Sequence, residues 1–353
     1  MDTISFIKTL HTNPLFIPYN KQFARNYCSN IPFHTISSQY NNVHYLFSPK
    51  LSEAALSSQL LIPAAPSFDS SVPKIVTDFV SSFPVFSNHS IHSEYRQFIG
   101  LNYLKDSFQA CEDMAYSFLS NALANIDSTT SLSLQLSQVT STINSKILNL
   151  SPPLSENFSL LSPQFATVFK SYPFDFSNVS ADLITSLFES ASNNESLVIH
   201  ALSIPQLFFT YFSGSDTLTS LFEIFLYLKS SNSQLLVNLI SPQDYLDFLL
   251  SNFPYFRFIA RTATQSTTVD CVAIRKGDTI LIPTQLINCL DDSSPKRLTF
   301  GFGEYSCIGK HISPVILKVF IHLILSDYKE LKLASSGFSD HPVLTYLDNP
   351  YLM

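Results

Sequence analysis

The stretch LTFGFGEYSCIGKHIS, residues 298–313, sets Gly301, Gly303 and Gly309 around one cysteine, Cys307. The whole chain has only seven glycines, so three in one loop point to positive φ or to close backbone approach. A thiolate at neutral pH needs help from backbone N–H groups, a helix N-terminus or a metal. Glycines bring N–H groups near the sulfur, and a helix expected from about Lys310 to Tyr328 adds the positive end of its dipole. The spacing Phe300-Gly301-x-Gly303-x-x-x-Cys307-x-Gly309 therefore reads as a loop that holds a thiolate against something flat and close. The competing chemistry is an inert buried cysteine in a glycine turn, which three glycines at these offsets argue against.

FGFGEYSCIG resembles the haem-binding loop of cytochromes P450, whose usual form is Phe-Gly-x-Gly-x-His/Arg-x-Cys-x-Gly. The resemblance implies haem b (iron protoporphyrin IX), with Cys307 as the proximal iron ligand donating electron density that favours O–O cleavage. One position differs: Tyr305 stands where a propionate-binding His or Arg is common.

Further landmarks follow in the same order as in that family. Ser213-Gly214-Ser215-Asp216-Thr217 resembles the (Ala/Gly)-Gly-x-(Asp/Glu)-Thr of the helix that crosses the haem. There a break in helical hydrogen bonding opens an oxygen pocket beside the glycine, and the acid and alcohol relay protons. The resemblance thus gives Asp216 and Thr217 a role in proton delivery and puts Gly214 at the cofactor. Read without it, the same residues make a glycine turn capped by Asp216 between two helices. His92-Ser-Glu-Tyr-Arg96 resembles a His-x-x-x-Arg whose two cations contact the propionates; the four-residue spacing puts both on one helical face, and paired donors suit carboxylates. Arg261, in FRFIARTAT, lies where P450s of the soluble bacterial type carry a strand arginine that also binds a propionate.

Two landmarks are missing. The Glu-x-x-Arg pair of the helix before the β portion is replaced, counting back from Arg261, by Phe248 and Ser251. The meander that this pair locks is shortened to LINCLDDSSPKRL, without its aromatic-Pro-x-Arg-Phe stretch. Losing both halves of one interacting unit can be neutral, because a buried ion pair is often replaceable by apolar groups. Two readings stay open: an active, divergent P450-type monooxygenase, or a relative that binds haem, or none, and serves as a binding or adaptor module.

The elements that must carry these residues follow from periodicity. NNVHYLFS (41–48) is rich in strand formers, and LSEAALSSQLL (51–61) has helical spacing. Residues 62–90 read as a loop region with short helical pieces. From His89 to Ile126 apolar spacing predicts one or two helices, and 127–150 an amphipathic one. Residues 151–180 carry several prolines and are expected to break up. A long apolar helix is expected from Ser196 to Ser230 and a shorter one over 241–253. After Pro254 alternation predicts strands around a turn at Lys276-Gly277-Asp278. The expectation is one mainly α domain with a small β portion spanning 1–353, a shortened P450 fold with its motifs within about 89–328.

Composition narrows the function further. A net charge of −7 without a long basic run argues against nucleic-acid binding. Five widely spaced cysteines without a CxxC pair make neither a disulfide framework nor a structural zinc site. The N-terminus does not read as a signal peptide, and no apolar run reaches membrane-span length. A soluble, cytoplasmic monomer is the expectation. The resemblance implies a ferredoxin- or flavodoxin-type electron donor, which Lys296, Arg297, Lys310 and His311 would attract on an otherwise acidic protein. The substrate is expected to be a small molecule or a tailored peptide in natural-product biosynthesis. Phe208, Phe209, Phe212, Phe256, Phe258 and Ile259 are available to line its pocket, although with 31 Phe in the chain core packing accounts for most.

Overall fold

The computed structural model describes residues 1–86, 92–97, 99, 108–126, 131–171, 174–192, 203–231, 233–290, 298–335, 337–348 and 350–352. It is mainly helical with a small β portion, as expected. The chain forms two compact units. One comprises Met1–Ala64, Ser220–Lys310 and Leu317–Met353; the other comprises Ala65–Thr219 and His311–Ile316.

The first unit is built on a five-stranded sheet. β1 (Phe33–Ser37) and β2 (Asn42–Leu46) form a hairpin, β3 is Leu61–Pro63, and β4 is Phe258–Ala263. β5 (Thr267–Val269) and β6 (Val272–Ile274) make a separate hairpin, and β7 is Thr279–Pro283. The strand order is β1-β2-β7-β4-β3, antiparallel except between β2 and β7. Two turns therefore stand where the sequence indicated one: Asp270, at φ 52°, turns β5 into β6, and Gly277, at φ 85°, turns β6 into β7. Ile280, Ile282, Ala263, Leu61 and Leu46 are buried together with Leu51, Ala55 and Leu56 of the helix Pro49–Leu56.

The second unit is helical: Lys74–Ser81, residues 92–97, Phe108–Ala124, Leu132–Ile147, Pro152–Lys170 and Ala181–Ser192. Its core is aromatic, with Phe208 packed on Phe79, Phe83, Phe158, Phe165 and Phe212. Phe208 and Phe212 are thus core residues, as is Phe258 of the first unit, which stacks on His11.

The break expected over 151–180 does not occur before Ser171: Pro152–Lys170 is one 19-residue helix. Pro152 and Pro153 fall in its first turn, where a missing N–H costs nothing. Pro163 is interior, but Leu154, Phe158, Leu161, Phe165, Val168 and Phe169 form one buried stripe whose burial outweighs the lost hydrogen bond. The long helix is Ser203–Ser230; residues 196–202 lie outside the described residues.

Candidate functional site

The cysteine loop is closed by hydrogen bonds. Gly301 N–H donates to Leu298 O at 2.9 Å, Ser306 N–H to Gly303 O at 3.1 Å, and Cys307 N–H to Phe300 O at 2.6 Å. Gly301 and Gly303 have φ of +68° and +65°, a region that other residues enter only at a steric cost. A Cβ on Gly301 would lie 3.1 Å from the Tyr305 carbonyl oxygen. Gly309 lies in the 3₁₀ turn Ile308–His311. The α-helix begins only at Ser313, not at about Lys310. The sequence-based argument from an α-helix dipole at the sulfur is corrected accordingly: a 3₁₀ turn intervenes, and a dipole falls off within one turn. Cys307 itself is exposed.

Of the other cysteines, Cys28, Cys111 and Cys289 are buried and Cys271 is exposed. Burial pushes the Cys28 thiol up to about 12 and the Cys111 thiol up to about 11, which keeps both protonated and inert.

Arg261 joins this loop. It sits on β4 opposite Ile280 of β7, on the sheet face that also carries Ala263, and is 6% exposed. Its guanidinium carbon lies 5.1 Å from the centroid of the Tyr305 ring. One nitrogen donates to Ala260 O at 2.9 Å, while Nε has no hydrogen-bond partner among the described residues. Burial pulls its pKa down to about 10, partly opposed by the Tyr305 hydroxyl. Burial in turn pushes the Tyr305 hydroxyl upward, against the pull of Arg261. Among the described residues no carboxylate comes within ion-pair distance of Arg261. A buried guanidinium of this kind calls for an anionic partner.

The proposed proton-relay residues lie in the second unit on the helix Ser203–Ser230, which is continuous through 213–217 rather than broken. Asp216 pairs with Lys170 of the helix Pro152–Lys170 at 3.5 Å. Gly214 faces the helix Leu132–Ile147 so closely that a Cβ would lie 2.9 Å from Asn144 Nδ2. The same Asn144 nitrogen donates to Ser215 Oγ at 2.9 Å, and the Thr140 and Thr219 hydroxyls meet at 3.0 Å. A polar seam of Asn144, Ser215, Thr140 and Thr219 thus joins the two helices. Thr217 is half-buried.

His92 and Arg96 are both helical, His92 buried and Arg96 half-buried. Tyr95 between them hydrogen-bonds Thr210 of the long helix. The structure therefore brings Arg261 to the loop of Phe300, Gly301, Tyr305 and Cys307 in one unit, while His92, Arg96, Gly214, Asp216 and Thr217 belong to the other. Lys296 and Arg297 lie outside the described residues; Lys310 and His311 are exposed. Lys170 and Asn144 escaped sequence reasoning, since each meets its partner across a helix pair with no local signal.

The fold that positions these groups is the cytochrome P450 fold. P450 RauA, solved with a biosynthetic intermediate of aurachin RE, matches with a TM-score of 0.73 at 14% identity over 99% of both chains. P450BioI, solved with an acyl carrier protein ligated to hexadec-9Z-enoic acid, matches at 0.72 and 14% identity over 96% of this chain and 97% of its own. The Tepidiphilus thermophilus P450 heme domain matches at 0.72 and 13% over 97% and 96%. In sequence, cytochrome P450-SOY of Streptomyces griseus is 32% identical over 88 residues, 22% of this chain and 21% of that protein. No protein-family profile matches the chain. Among the described residues no helix is long and apolar enough to cross a membrane.

Proposed function

We propose that the chain binds haem b through Cys307 and works as a P450-type monooxygenase on a small organic or natural-product substrate. One observation carries this reading: an exposed thiol and a buried guanidinium that has no carboxylate partner among the described residues share a single loop environment, with Arg261 over Tyr305 two residues before Cys307. A group offering both a metal for the thiolate and a carboxylate for the guanidinium fits that donor set. Haem offers both through its iron and its propionates.

When bound, haem supplies the oxygen-activating chemistry that a thiolate ligand promotes. The chain's own residues have separate tasks. Gly301, Gly303 and Gly309, with Phe300, shape the loop that presents the sulfur. Arg261 holds a propionate, and Tyr305 holds Arg261 in place of the usual cation. His92 and Arg96 supply further donors. Asp216 and Thr217 move protons, with Lys170 orienting the Asp216 carboxylate. Gly214 allows the close helix approach that orders this segment. Electrons come from a ferredoxin- or flavodoxin-type donor that docks at Lys296, Arg297, Lys310 and His311. The protein acts as a soluble cytoplasmic monomer in natural-product tailoring, by analogy with the P450s that it resembles.

A second reading is favoured by the unbroken helix through Gly214 and by the commitment of Ser215 to Asn144. In it, the chain binds haem without oxygenating anything, or has become a haem-free adaptor.

The test is the difference spectrum of reduced, carbon monoxide-treated protein beside Cys307→Ala. A strongly red-shifted Soret band lost in the variant supports the thiolate. Folded protein that takes up no haem on reconstitution overturns it. With haem bound, Asp216→Asn should slow turnover without moving the spectrum; unchanged turnover removes Asp216 from proton delivery, and a haem-loaded wild type that oxidises no substrate points to the second reading.

A further inference from the structure

Asn288 is 1% exposed, on the short helix Thr284–Leu290. Its Nδ2 donates to Thr299 Oγ1 at 2.8 Å and to Ser251 O at 3.4 Å, while its Oδ1 accepts from the Leu298 N–H at 2.9 Å. The Thr299 hydroxyl donates onward to Leu250 O. Gln285, one turn earlier on the same helix face, donates to Asn252 O. Leu250, Ser251 and Asn252 are the last residues of the helix Pro242–Asn252, whose final carbonyls have no partner within the helix. The short helix therefore caps the longer one and ties it to residues 298 and 299, where the cysteine loop begins. The tie continues into the loop, because Leu298 O accepts from Gly301 N–H and Phe300 O from Cys307 N–H.

Among the described residues no charged side chain takes part in this lock. Phe248 and Ser251 occupy the positions where the resemblance placed a Glu-x-x-Arg pair, and Ser251 contributes only its backbone carbonyl. A primary amide suits the task because it donates and accepts at once, which neither a carboxylate nor an ammonium does. Being neutral, it avoids the desolvation cost of a buried ion pair.

We propose that Asn288 and Thr299 form a neutral clamp that positions the Cys307 loop, in the place of the missing ion-pair lock. Asn288 is a positioning residue acting through Leu298 and Thr299, and its link to haem ligation rests on the haem-thiolate reading above. The clamp predicts that the loop loosens, and that the fraction of haem held by thiolate falls, when either side chain loses its hydrogen bonds.

The experiment uses the full chain with Asn288→Ala, Asn288→Asp, Thr299→Val and Thr299→Ser. Asn288→Asp keeps the acceptor for Leu298 and loses the donors. Thr299→Val preserves shape and loses the hydroxyl, and Thr299→Ser restores it. The first readout is amide exchange over 298–307 in the haem-free chain, by mass spectrometry. Exchange there should rise about tenfold in Asn288→Ala and Thr299→Val, the effect of losing roughly one buried hydrogen bond, and return toward wild type in Thr299→Ser. The second readout, on haem-loaded protein, is the share of the reduced carbon monoxide complex with the red-shifted Soret band, which should fall in Thr299→Val and recover in Thr299→Ser. Unchanged exchange over 298–307 in Thr299→Val overturns the clamp, even if Asn288→Ala does not fold. If wild type takes up no haem, the haem-thiolate reading fails and the exchange measurement alone decides the clamp. Faster exchange with an unmoved Soret band overturns the positioning role toward haem.

Discussion

Arg261 and Tyr305 form a stacked pair that joins the central sheet to the cysteine loop, the guanidinium carbon 5.1 Å from the ring centroid. On the haem-thiolate proposal, the pair gives the tyrosine a role unlike that of the His or Arg common at this place in the loop it resembles. The ring holds a cation supplied from β4 instead of supplying one. Stacking of a desolvated guanidinium on an aromatic face is worth about 1–2 kcal/mol. On the haem-thiolate proposal, Tyr305→Phe should therefore leave haem affinity near wild type, whereas Tyr305→Leu should weaken it by about tenfold. Haem titration of the two variants checks this. A large loss in Tyr305→Phe would show that the hydroxyl, rather than the ring, does the work.

Gly301 should be the least replaceable residue of the loop. Its φ of +68° costs an L-residue about 1–2 kcal/mol, and a Cβ would press on the Tyr305 carbonyl at 3.1 Å. Gly301→Ala is expected to lower stability by at least that amount in urea unfolding and, on the haem-thiolate proposal, to reduce haem uptake. Gly303→Ala carries the same backbone cost, but its Cβ would meet Leu56 O at an ordinary 3.5 Å, so the loss should be smaller. Equal losses would show that backbone conformation alone sets the cost.

The seam between Gly214 and Asn144 can be tested by its non-additivity. In an exposed helix, Gly→Ala gains about 1 kcal/mol. Here the added methyl would lie 2.9 Å from Asn144 Nδ2, and overpacking of that kind costs about 1–3 kcal/mol. Gly214→Ala should therefore destabilise in the wild-type background and stabilise in Asn144→Ala. Denaturant unfolding of the four proteins completes the cycle. The same sign in both backgrounds would remove steric packing as the reason for the glycine.

Asp278 makes stability depend on acid pH. It is 2% exposed, and burial alone would raise its pKa. The Asn42 and Arg275 backbone N–H groups, His44 and the Asn42 side chain outweigh burial and hold it at about 2. The unfolded carboxyl ionises near 4, so roughly 2 kcal/mol of stability is present above that pH and is lost as pH falls toward 2. Asp278→Asn should be less stable than wild type at pH 7 by about that amount, with the gap closing in acid. A pH-independent gap in urea unfolding would contradict the linkage.

The sequence by itself determined most of the local structure, including the glycine turn around Cys307. Three of seven glycines around Cys307 marked a strained turn, and two of them adopt positive φ. Alternation after Pro254 marked the strands that carry Arg261, and helical spacing marked 132–147 and 242–252. Such signals are legible because they arise between near neighbours in the chain. Pro163 misled for the opposite reason: a local breaker was outweighed by a buried aromatic stripe that only tertiary packing creates. The same holds for Tyr305 under Arg261, Lys170 beside Asp216, Asn144 against Gly214, and Asn288 beneath the loop. Asn144, Lys170 and Asn288 are ordinary polar residues with no distinguishing local pattern. Their roles depend on partners that are distant in sequence, or on backbone groups offered by another element. Desolvation and hydrogen-bond geometry select them only once the helices and strands have met, so tertiary structure alone could decide them.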